Sequence, residues 1–211
     1  MDTTKQYCTI YIVRHGETTA NASGILGLDT DLTEKGKQQA SSLRDRFKNI
    51  AFAAVYASDL VRTQQTAEIL NLERKLAVNV SALIRERNYG SMEGSDEEIY
   101  KKRIREYLTR MEALSDEERW KFRFLPDMET EEEAVSRFIR FAREVAVAYS
   151  GKHVLLVSHG NVMRTFLIHL GFATYRELPT GSIENTGYIK LRSDGVDFFI
   201  DETVRIHKSN G

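Results

Sequence analysis

Two histidines in this sequence stand just after short apolar runs. Residues 10–13 are followed by Arg14 and His15, and residues 154–157 are followed by a serine and then by His159. Continuous apolar runs rich in β-branched residues predict strands that are buried on both faces. Ligands of open α/β sheets bind at the carboxyl ends of such strands. If the two strands are neighbours, both imidazoles and the guanidinium meet at one point, where they suit a phosphate group.

The chemistry that such a cluster could perform is phosphoryl transfer. The transferred group spreads negative charge over its oxygens, so it requires several fixed donors and a nucleophile in line with the leaving oxygen. Arg14, Arg62 and His159 are the candidate donors. His15 is the candidate nucleophile, because an imidazole attacks only when it is neutral and two nearby guanidinium groups favour the neutral form. For His159 the sequence leaves a charged form open.

A phosphorylated histidine forms only if the alcohol leaves, and this step requires a general acid. We choose Glu86, which follows the apolar residues of a predicted strand and lies between two arginines. After giving up its proton, the same carboxylate could activate the water that releases phosphate. Glu17 is the competing candidate, and Glu93 is a weaker one. The histidines are scattered, with no pair at the i, i+4 spacing of a helical metal site, so the scheme uses no metal.

The elements that must position these residues alternate along the chain. A helix capped by Thr33 follows the first strand, and a second helix, begun by Ser58 and Asp59, has Arg62 in its first turn, where the helix dipole favours an anion. Further strands are predicted at residues 53–57, 77–80, 183–191 and 196–200, the last two as a hairpin. The alternation predicts an α/β fold, a three-layer α/β/α sandwich around a mainly parallel mixed sheet.

Residues 95–130 differ in pattern from the rest of the chain. They begin with a charged helix whose apolar residues share one face, namely Tyr100, Ile104, Tyr107, Leu108 and Met111. We interpret this stretch as a helical cap inserted over the site. A long helix follows, with a capping box of Thr130 and Glu133. Because the 211 residues include no linker, repeat or low-complexity tract, we expect a single domain over residues 1–211.

The composition excludes several classes of partner. The chain has 30 Lys and Arg residues against 31 Asp and Glu residues. With charges so nearly balanced, no overall positive electrostatic field attracts nucleic acid or an acidic membrane. The sequence has neither an apolar signal core nor a run long enough to span a bilayer. Cys8 is the only cysteine and cannot form an intramolecular disulfide. We therefore expect a cytoplasmic protein, with a homodimer left open as its assembly.

Four motifs, in order along the chain, resemble those of the histidine phosphatase superfamily, which includes cofactor-dependent phosphoglycerate mutases, fructose-2,6-bisphosphatase and broad-specificity phosphatases. They are residues 14–18 with Asn21, residues 31–36, residues 58–67 and residues 158–160. The resemblance covers almost the whole chain. It implies the phosphoglycerate mutase-like fold, a mainly parallel central sheet flanked by helices.

The resemblance also assigns roles to single residues. It implies that His15 is phosphorylated and that Glu86 donates the proton. The phosphoryl group would be bound by Arg14, Arg62 and His159. The residues expected to bind substrate are Asn21, Gly160, Arg87, Thr18 and Asn161.

Some departures from the family pattern bear on the choice between hydrolysis and mutase activity. Asp31 replaces a common proline, a change that concerns a surface turn and not the chemistry. Residues 86–90 resemble the mutase sequence Glu-Arg-His-Tyr-Gly with Asn88 in place of the histidine, and residues 159–161 are also mutase-like, but the length of one segment favours hydrolysis. The interval from Glu86 to His159 is shorter than mutases usually have, whereas a mutase needs a covering segment that excludes water. We therefore expect a phosphatase that hydrolyses small-molecule phosphomonoesters through a phosphohistidine, without a metal or cofactor. A 2,3-bisphosphoglycerate-dependent phosphoglycerate mutase is the alternative, and a binding protein without turnover is a third hypothesis.

Overall fold

A mixed β-sheet forms the middle layer of the protein. The computed structural model describes residues 6–25 and 27–209, with Glu97 described by its backbone alone. Within these residues the strands are β1 (Cys8–Arg14), β2 (Phe52–Ala57), β3 (Val78–Val80), β4 (His153–Ser158), β5 (Ile183–Ser193) and β6 (Phe198–Ile206). Their order in the sheet is β3-β2-β4-β1-β5-β6. The first four strands run parallel and the β5–β6 hairpin is antiparallel, so the predicted mainly parallel mixed sheet is confirmed.

The helices lie between these strands in the chain. They are α1 (Thr19–Ala22), α2 (Glu34–Phe47), α3 (Val61–Asn71), α4 (Glu97–Glu112), α5 (Asp116–Lys121), α6 (Glu131–Ala148) and α7 (Gly160–His169). Thr33 caps α2 by accepting a hydrogen bond from the Gly36 amide. Thr130 and Glu133 form the reciprocal capping box of α6. Both caps were predicted, because each supplies a side-chain acceptor to an amide that the helix leaves unpaired.

Each face of the sheet packs against its own pair of helices. Successive side chains of a strand point to opposite faces, so Ile10 and Ile12 of β1 join one apolar cluster while Tyr11 and Val13 join the other. The helices add Phe138 of α6 and Phe166 of α7 to the first cluster, and Phe47 of α2 and Leu70 of α3 to the second. Burial of each large apolar side chain contributes about 1.5–3 kcal/mol relative to exposure. The predicted three-layer sandwich is therefore confirmed.

The register of β1 and β4 brings their ends together. Arg14 is paired with Ser158, which is the last pair of the parallel ladder. The next residue of each strand is a histidine, and the His15 amide donates to the Ser158 carbonyl at 3.1 Å. His15 and His159 therefore leave the sheet side by side, at its carboxyl edge.

Residues 95–130 contain α4, α5 and the loop that leads to α6. Apolar side chains of this stretch, Tyr107, Met111 and Met128, pack with Tyr89 and Met92 in a third cluster separate from the two faces of the sheet. The predicted charged helix is thus present as α4, in the stretch that we expected to form an insertion. Within the described residues, no helix has both the length and the apolar character required to cross a membrane.

The edge strands differ in length from the predictions. β3 is shorter by one residue than predicted, and β6 continues beyond residue 200 to Ile206. The residues of β6 are exposed or half-buried, so its second half lacks the apolar signal that marks a strand. Pairing with β5 maintains the extended conformation there.

Candidate active site

A cavity of about 160 Å³ opens at the carboxyl edge of the sheet. Four of the five predicted catalytic residues line it: Arg14, His15, Arg62 and Glu86. The fifth, His159, lies against the nucleophile candidate, since its ring centroid is 5.2 Å from that of His15. The structure therefore brings together residues from β1, α3, the segment after β3 and the start of α7.

His15 is held in the form that a nucleophile requires. Its Nδ1 atom lies 2.7 Å from the carbonyl oxygen of Gly16. A carbonyl only accepts, so Nδ1 carries the proton and Nε2 keeps its lone pair. The pKa of His15 is well below its ordinary value, mainly because the ring is buried and also because Arg14 and Arg62 repel a second positive charge. The expectation of a neutral imidazole agrees with this pKa, although burial contributes more than the arginines.

The loop that carries His15 rests on the start of α2 through two glycines. A Cβ atom at Gly16 would lie 2.5 Å from the carbonyl oxygen of Gly36, and one at Gly36 would lie 2.1 Å from the carbonyl oxygen of Glu17. Neither position has room for a side chain. The Gly16 amide also donates to the hydroxyl of Thr66 in α3 at 3.1 Å. The backbone of the nucleophile is therefore fixed by α2 and α3.

The surroundings of His159 also favour the neutral ring over the charged form that the sequence left open. Burial, followed by the charge of Arg62, lowers its pKa well below the ordinary value. Its Nε2 lies 2.8 Å from the hydroxyl of Ser58, whereas its Nδ1 is buried without a partner. When the Ser58 hydroxyl donates to Nε2, the single proton of the ring is on Nδ1. His159 then provides an N–H group that is free to donate to an anion.

The two arginines are positioned by the backbone around them. Arg14 donates through Nη1 to the Ile183 carbonyl, and its buried Nε has no partner. A Cβ atom at position 160 would lie only 3.1 Å from that Nε, so Gly160 allows the guanidinium to lie against the start of α7. Arg62 is 5% exposed and donates to the Leu28 carbonyl at 3.2 Å. Burial lowers the pKa of both groups, and the negative charge of Glu86 opposes this shift in each.

Arg62 lies in the first turn of α3, as predicted, but the cap of that helix differs from the prediction. The N-cap residue is Leu60, and no side chain of the preceding segment caps the helix. Instead, the Val61 amide donates to the carboxylate of Asp29 at 2.9 Å, and the same carboxylate pairs with Arg62 at 3.3 Å. Ser58, which the sequence suggested as the cap, is used to hold His159.

Glu86 is the carboxylate that shares the cavity with His15. Its two oxygens accept the backbone amides of Asn161 and Val162 at 3.0 and 2.9 Å, at the start of α7. Glu17 instead pairs with Lys35 at 2.7 Å and does not line the cavity. Glu93 accepts the Tyr89 amide and lines an adjoining depression of about 250 Å³. Geometry therefore favours Glu86 among the three proton-donor candidates.

Three of the five predicted substrate-binding residues line the cavity: Asn21, Gly160 and Asn161. The other two do not, and their side chains have structural contacts. Thr18 is buried and accepts the Asn21 amide at 3.1 Å, so it caps α1. Arg87 is 1% exposed, and its guanidinium donates to the Glu129 carbonyl and to the Tyr107 hydroxyl. Thr18 and Arg87 thus lie outside this cavity, although Arg87 lines the adjoining depression together with Glu86.

Two residues of the site were missed by the sequence reasoning. Asn185 of β5 donates to the His15 carbonyl at 3.1 Å and to the Asn21 side chain at 3.3 Å. No motif pointed to it, because its role depends on the antiparallel pairing of β5 with β1. Tyr89 also lines the cavity and accepts the Asn161 side-chain amide at 2.9 Å.

The lowered histidine pKa values predict that the protein loses stability in mild acid. The native pKa values of His15 and His159 lie below the ordinary 6.5, and His169 is shifted in the same direction. Below pH 6.5 the unfolded chain therefore binds protons that the native state does not. The free energy of unfolding should fall between pH 6.5 and 5, by up to about 1.4 kcal/mol per pH unit for each fully shifted histidine.

Urea unfolding at pH 7.5, 6.5 and 5 measures this dependence. This pH range lies above the ordinary pKa of carboxylates, so acidic residues contribute little to the change in the free energy of unfolding. The variant His15→Asn, whose amide can still donate to the Gly16 carbonyl, should show a shallower slope. A free energy of unfolding that stays constant or rises toward pH 5 would contradict the assignment of neutral buried imidazoles.

Comparisons with known proteins agree with this geometry. A sequence profile of the histidine phosphatase superfamily (branch 1) matches residues 10–204. The mouse (Mus musculus) protein 6-phosphofructo-2-kinase/fructose-2,6-bisphosphatase 1 is 32% identical over an alignment of 176 positions, which covers 81% of this chain and 34% of that protein. The chain thus spans about a third of the length of that relative. Fructose-2,6-bisphosphatase TIGAR B of Danio rerio is 30% identical over an alignment of 217 positions, which covers 90% of this chain and 84% of that one.

A solved structure supports the same conclusion about the fold. Phosphoglycerate mutase from Bacillus anthracis str. Sterne is similar to this chain with a TM-score of 0.76 and 25% sequence identity, over 98% of this chain and 96% of that one. The architecture is therefore phosphoglycerate mutase-like, as expected. Because the profile match extends over nearly the whole chain and includes the paired histidines and both arginines, the protein belongs to the histidine phosphatase superfamily (branch 1).

Proposed function

We propose that this protein is a phosphoric monoester hydrolase that works through a phosphohistidine at His15 and requires no metal ion. The observation that carries the proposal is the orientation of His15: its Nδ1 faces the Gly16 carbonyl, which leaves the Nε2 lone pair available. Two buried donors without partners, Arg14 Nε and His159 Nδ1, belong to the same cluster. Together with Arg62 they supply the donors that a phosphoryl group requires.

In the first half-reaction the phosphoryl oxygens accept hydrogen bonds from Arg14, Arg62 and His159. Nε2 of His15 forms a bond to phosphorus while the bond from phosphorus to the alcohol oxygen breaks. Glu86 gives its proton to that oxygen, so the alcohol leaves neutral. The start of α7 donates two amides to the resulting carboxylate and stabilises its charge.

In the second half-reaction the Glu86 carboxylate takes a proton from water. The water oxygen forms a bond to phosphorus, the phosphorus–nitrogen bond breaks, and His15 regains its lone pair. Inorganic phosphate leaves, and Glu86 is protonated again for the next turnover. Each of the two residues thus returns to its initial state.

The competing function is a phosphoglycerate mutase, and one assay separates the two. The protein is incubated in chelator with 3-phosphoglycerate, with and without 2,3-bisphosphoglycerate, while inorganic phosphate and 2-phosphoglycerate are both measured. A second incubation uses a panel of simple phosphomonoesters. A hydrolase should release phosphate from members of the panel, with little 2-phosphoglycerate formed. Rapid interconversion that depends on the bisphosphate would support the mutase, and binding without any turnover would support a non-catalytic protein.

We also propose a cytoplasmic location. Cys8, the single cysteine of the chain, is a buried free thiol in β1, and such thiols are typical of reducing compartments. Cell fractionation followed by detection of the protein tests this. Recovery in an exported or membrane fraction would contradict it.

A further inference from the structure

A second and larger cavity lies beside the catalytic one. Its volume is about 640 Å³, and α4 forms one of its walls. We call it the side chamber. Tyr89, Asn161, Arg164 and Thr180 line both cavities, so the two share a wall. A volume of this size is within the range of pockets that hold a small organic molecule.

The side chamber is connected to the proposed acid through one residue. Asn161 lines the chamber, and its backbone amide donates to Glu86. A general acid must lie next to the oxygen that leaves. A group attached to that oxygen can therefore reach the chamber by passing Asn161.

Aromatic and aliphatic side chains form much of the chamber wall. Four tyrosines contribute to it, and the face of α4 adds Ile104, Leu108 and Met111. The tyrosines are Tyr89, Tyr100, Tyr107 and Tyr175. Flat rings and branched alkyl groups bind apolar or aromatic groups well, because they remove apolar surface from water without leaving polar groups unpaired.

Three of the four cations of the described wall already interact with other groups of the protein. Arg164 donates to the Leu178 carbonyl at 2.6 Å and lies 3.9 Å from Glu131, while Arg119 donates to the Leu114 carbonyl at 3.2 Å. Lys101 is also engaged. Among the described residues of the wall, Arg176 is the cation without a hydrogen bond or ion pair, and it is exposed. A second phosphate in the chamber would thus find one cation without a partner among these residues, Arg176, and that side chain is exposed to solvent.

We infer that the substrate is a phosphomonoester of an alcohol with an uncharged aromatic or apolar body, which occupies the side chamber. This inference rests on the proposed function. It also implies that sugar bisphosphates, which carry a second phosphate in place of such a body, are poor substrates.

A pair of substrates with similar leaving alcohols tests the inference. The values of kcat/KM for 2-phenylethyl phosphate and glycerol 3-phosphate are compared, because both release an unactivated primary alcohol. Burial of the phenyl ring should favour 2-phenylethyl phosphate by about 30-fold. Fructose 2,6-bisphosphate should be hydrolysed more slowly than 2-phenylethyl phosphate. Equal or reversed preferences in either comparison would overturn the inference while leaving the proposed hydrolase intact.

Two variants of α4 test whether the side chamber causes the preference for 2-phenylethyl phosphate. Leu108 lines the chamber and is 38% exposed, whereas Ile99 on the same helix is 51% exposed and does not line it. Leu108→Glu should lower kcat/KM for 2-phenylethyl phosphate about 10-fold and leave that for glycerol 3-phosphate unchanged. Ile99→Glu, the matched control, should change neither. Equal effects of the two variants on 2-phenylethyl phosphate would refute the chamber assignment.

The outcome without any turnover is also informative. If neither phosphomonoester is hydrolysed, the proposed function fails, and calorimetric binding of the two compounds then tests the chamber directly. Tighter binding of 2-phenylethyl phosphate that is weakened by Leu108→Glu but not by Ile99→Glu would still support the chamber as the site of the apolar body. Equal binding of both compounds would reject it.

Discussion

Replacement of His15 by alanine should lower kcat at least about 10⁴-fold and prevent covalent labelling of the protein by substrate. The variant lacks the Nε2 lone pair that forms the bond to phosphorus, and no other described side chain holds a neutral imidazole nitrogen with a free lone pair in the cavity. Steady-state kinetics with a phosphomonoester measure the first effect. For the second, the protein is mixed with substrate carrying radioactive phosphorus and quenched in alkali, where phosphohistidine survives.

The structure provides controls for this experiment. His169 stacks on Trp120 outside the cavity, so His169→Ala should retain kcat and the label. His15→Ala leaves the Gly16 carbonyl without its buried partner, which costs about 1–3 kcal/mol of stability, so circular dichroism and urea unfolding must show that the variant is folded. A folded His15→Ala protein with near-normal kcat would exclude the phosphohistidine route.

Replacement of Glu86 by glutamine should lower kcat about 10²–10⁴-fold for an alkyl phosphate. Glutamine has the size of glutamate and can still accept one of the amides at the start of α7, but it cannot donate a proton to a departing alkoxide or take one from water. The loss should be much smaller for the formation of phosphoenzyme from 4-nitrophenyl phosphate, because nitrophenolate leaves without protonation. Rapid-quench measurement of that step with both substrates gives the comparison.

The other two acid candidates serve as controls for Glu86. Glu17→Gln and Glu93→Gln remove the same charge from positions outside the cavity that holds His15. Both should leave the dependence on leaving group unchanged. Equal losses for alkyl and 4-nitrophenyl phosphate in Glu86→Gln would show that Glu86 only supports the start of α7. A leaving-group-dependent loss in Glu93→Gln would move the acid to that residue.

Much of the sheet could be predicted because its inner strands have a strong local signal. β1 and β4 are covered on both faces, so residues 10–13 and 154–157 are continuously apolar. The carboxyl ends of the two strands were therefore identified correctly. β6 is an antiparallel strand at an edge of the sheet, and every second side chain of such a strand can face solvent. Its second half was missed for that reason.

Site residues could be predicted where the strand or helix that carries them also positions them. They could be predicted less well where contacts with distant parts of the sequence decide their role. The ends of β1 and β4 position His15 and His159, and the first turn of α3 positions Arg62, so local pattern was sufficient. The N-cap of α3 is Leu60 and not Ser58, and the Val61 amide is bonded to Asp29, a residue far away in the sequence. Arg87 has a similar explanation: its partners, Glu129 and Tyr107, lie in or after the α4 segment, and the sequence does not reveal that this segment covers it.

The pairing of β1 with β4 has a consequence for how the protein acquires its activity. The two histidines lie far apart in the sequence, and their rings meet only when the parallel ladder has closed in the correct register. Contacts between such distant segments form late, because a long loop must be closed before they gain stability. Recovery of catalysis after dilution from denaturant should therefore lag behind the recovery of the helical circular dichroism signal. The time course of recovered turnover then reports when the fold is complete.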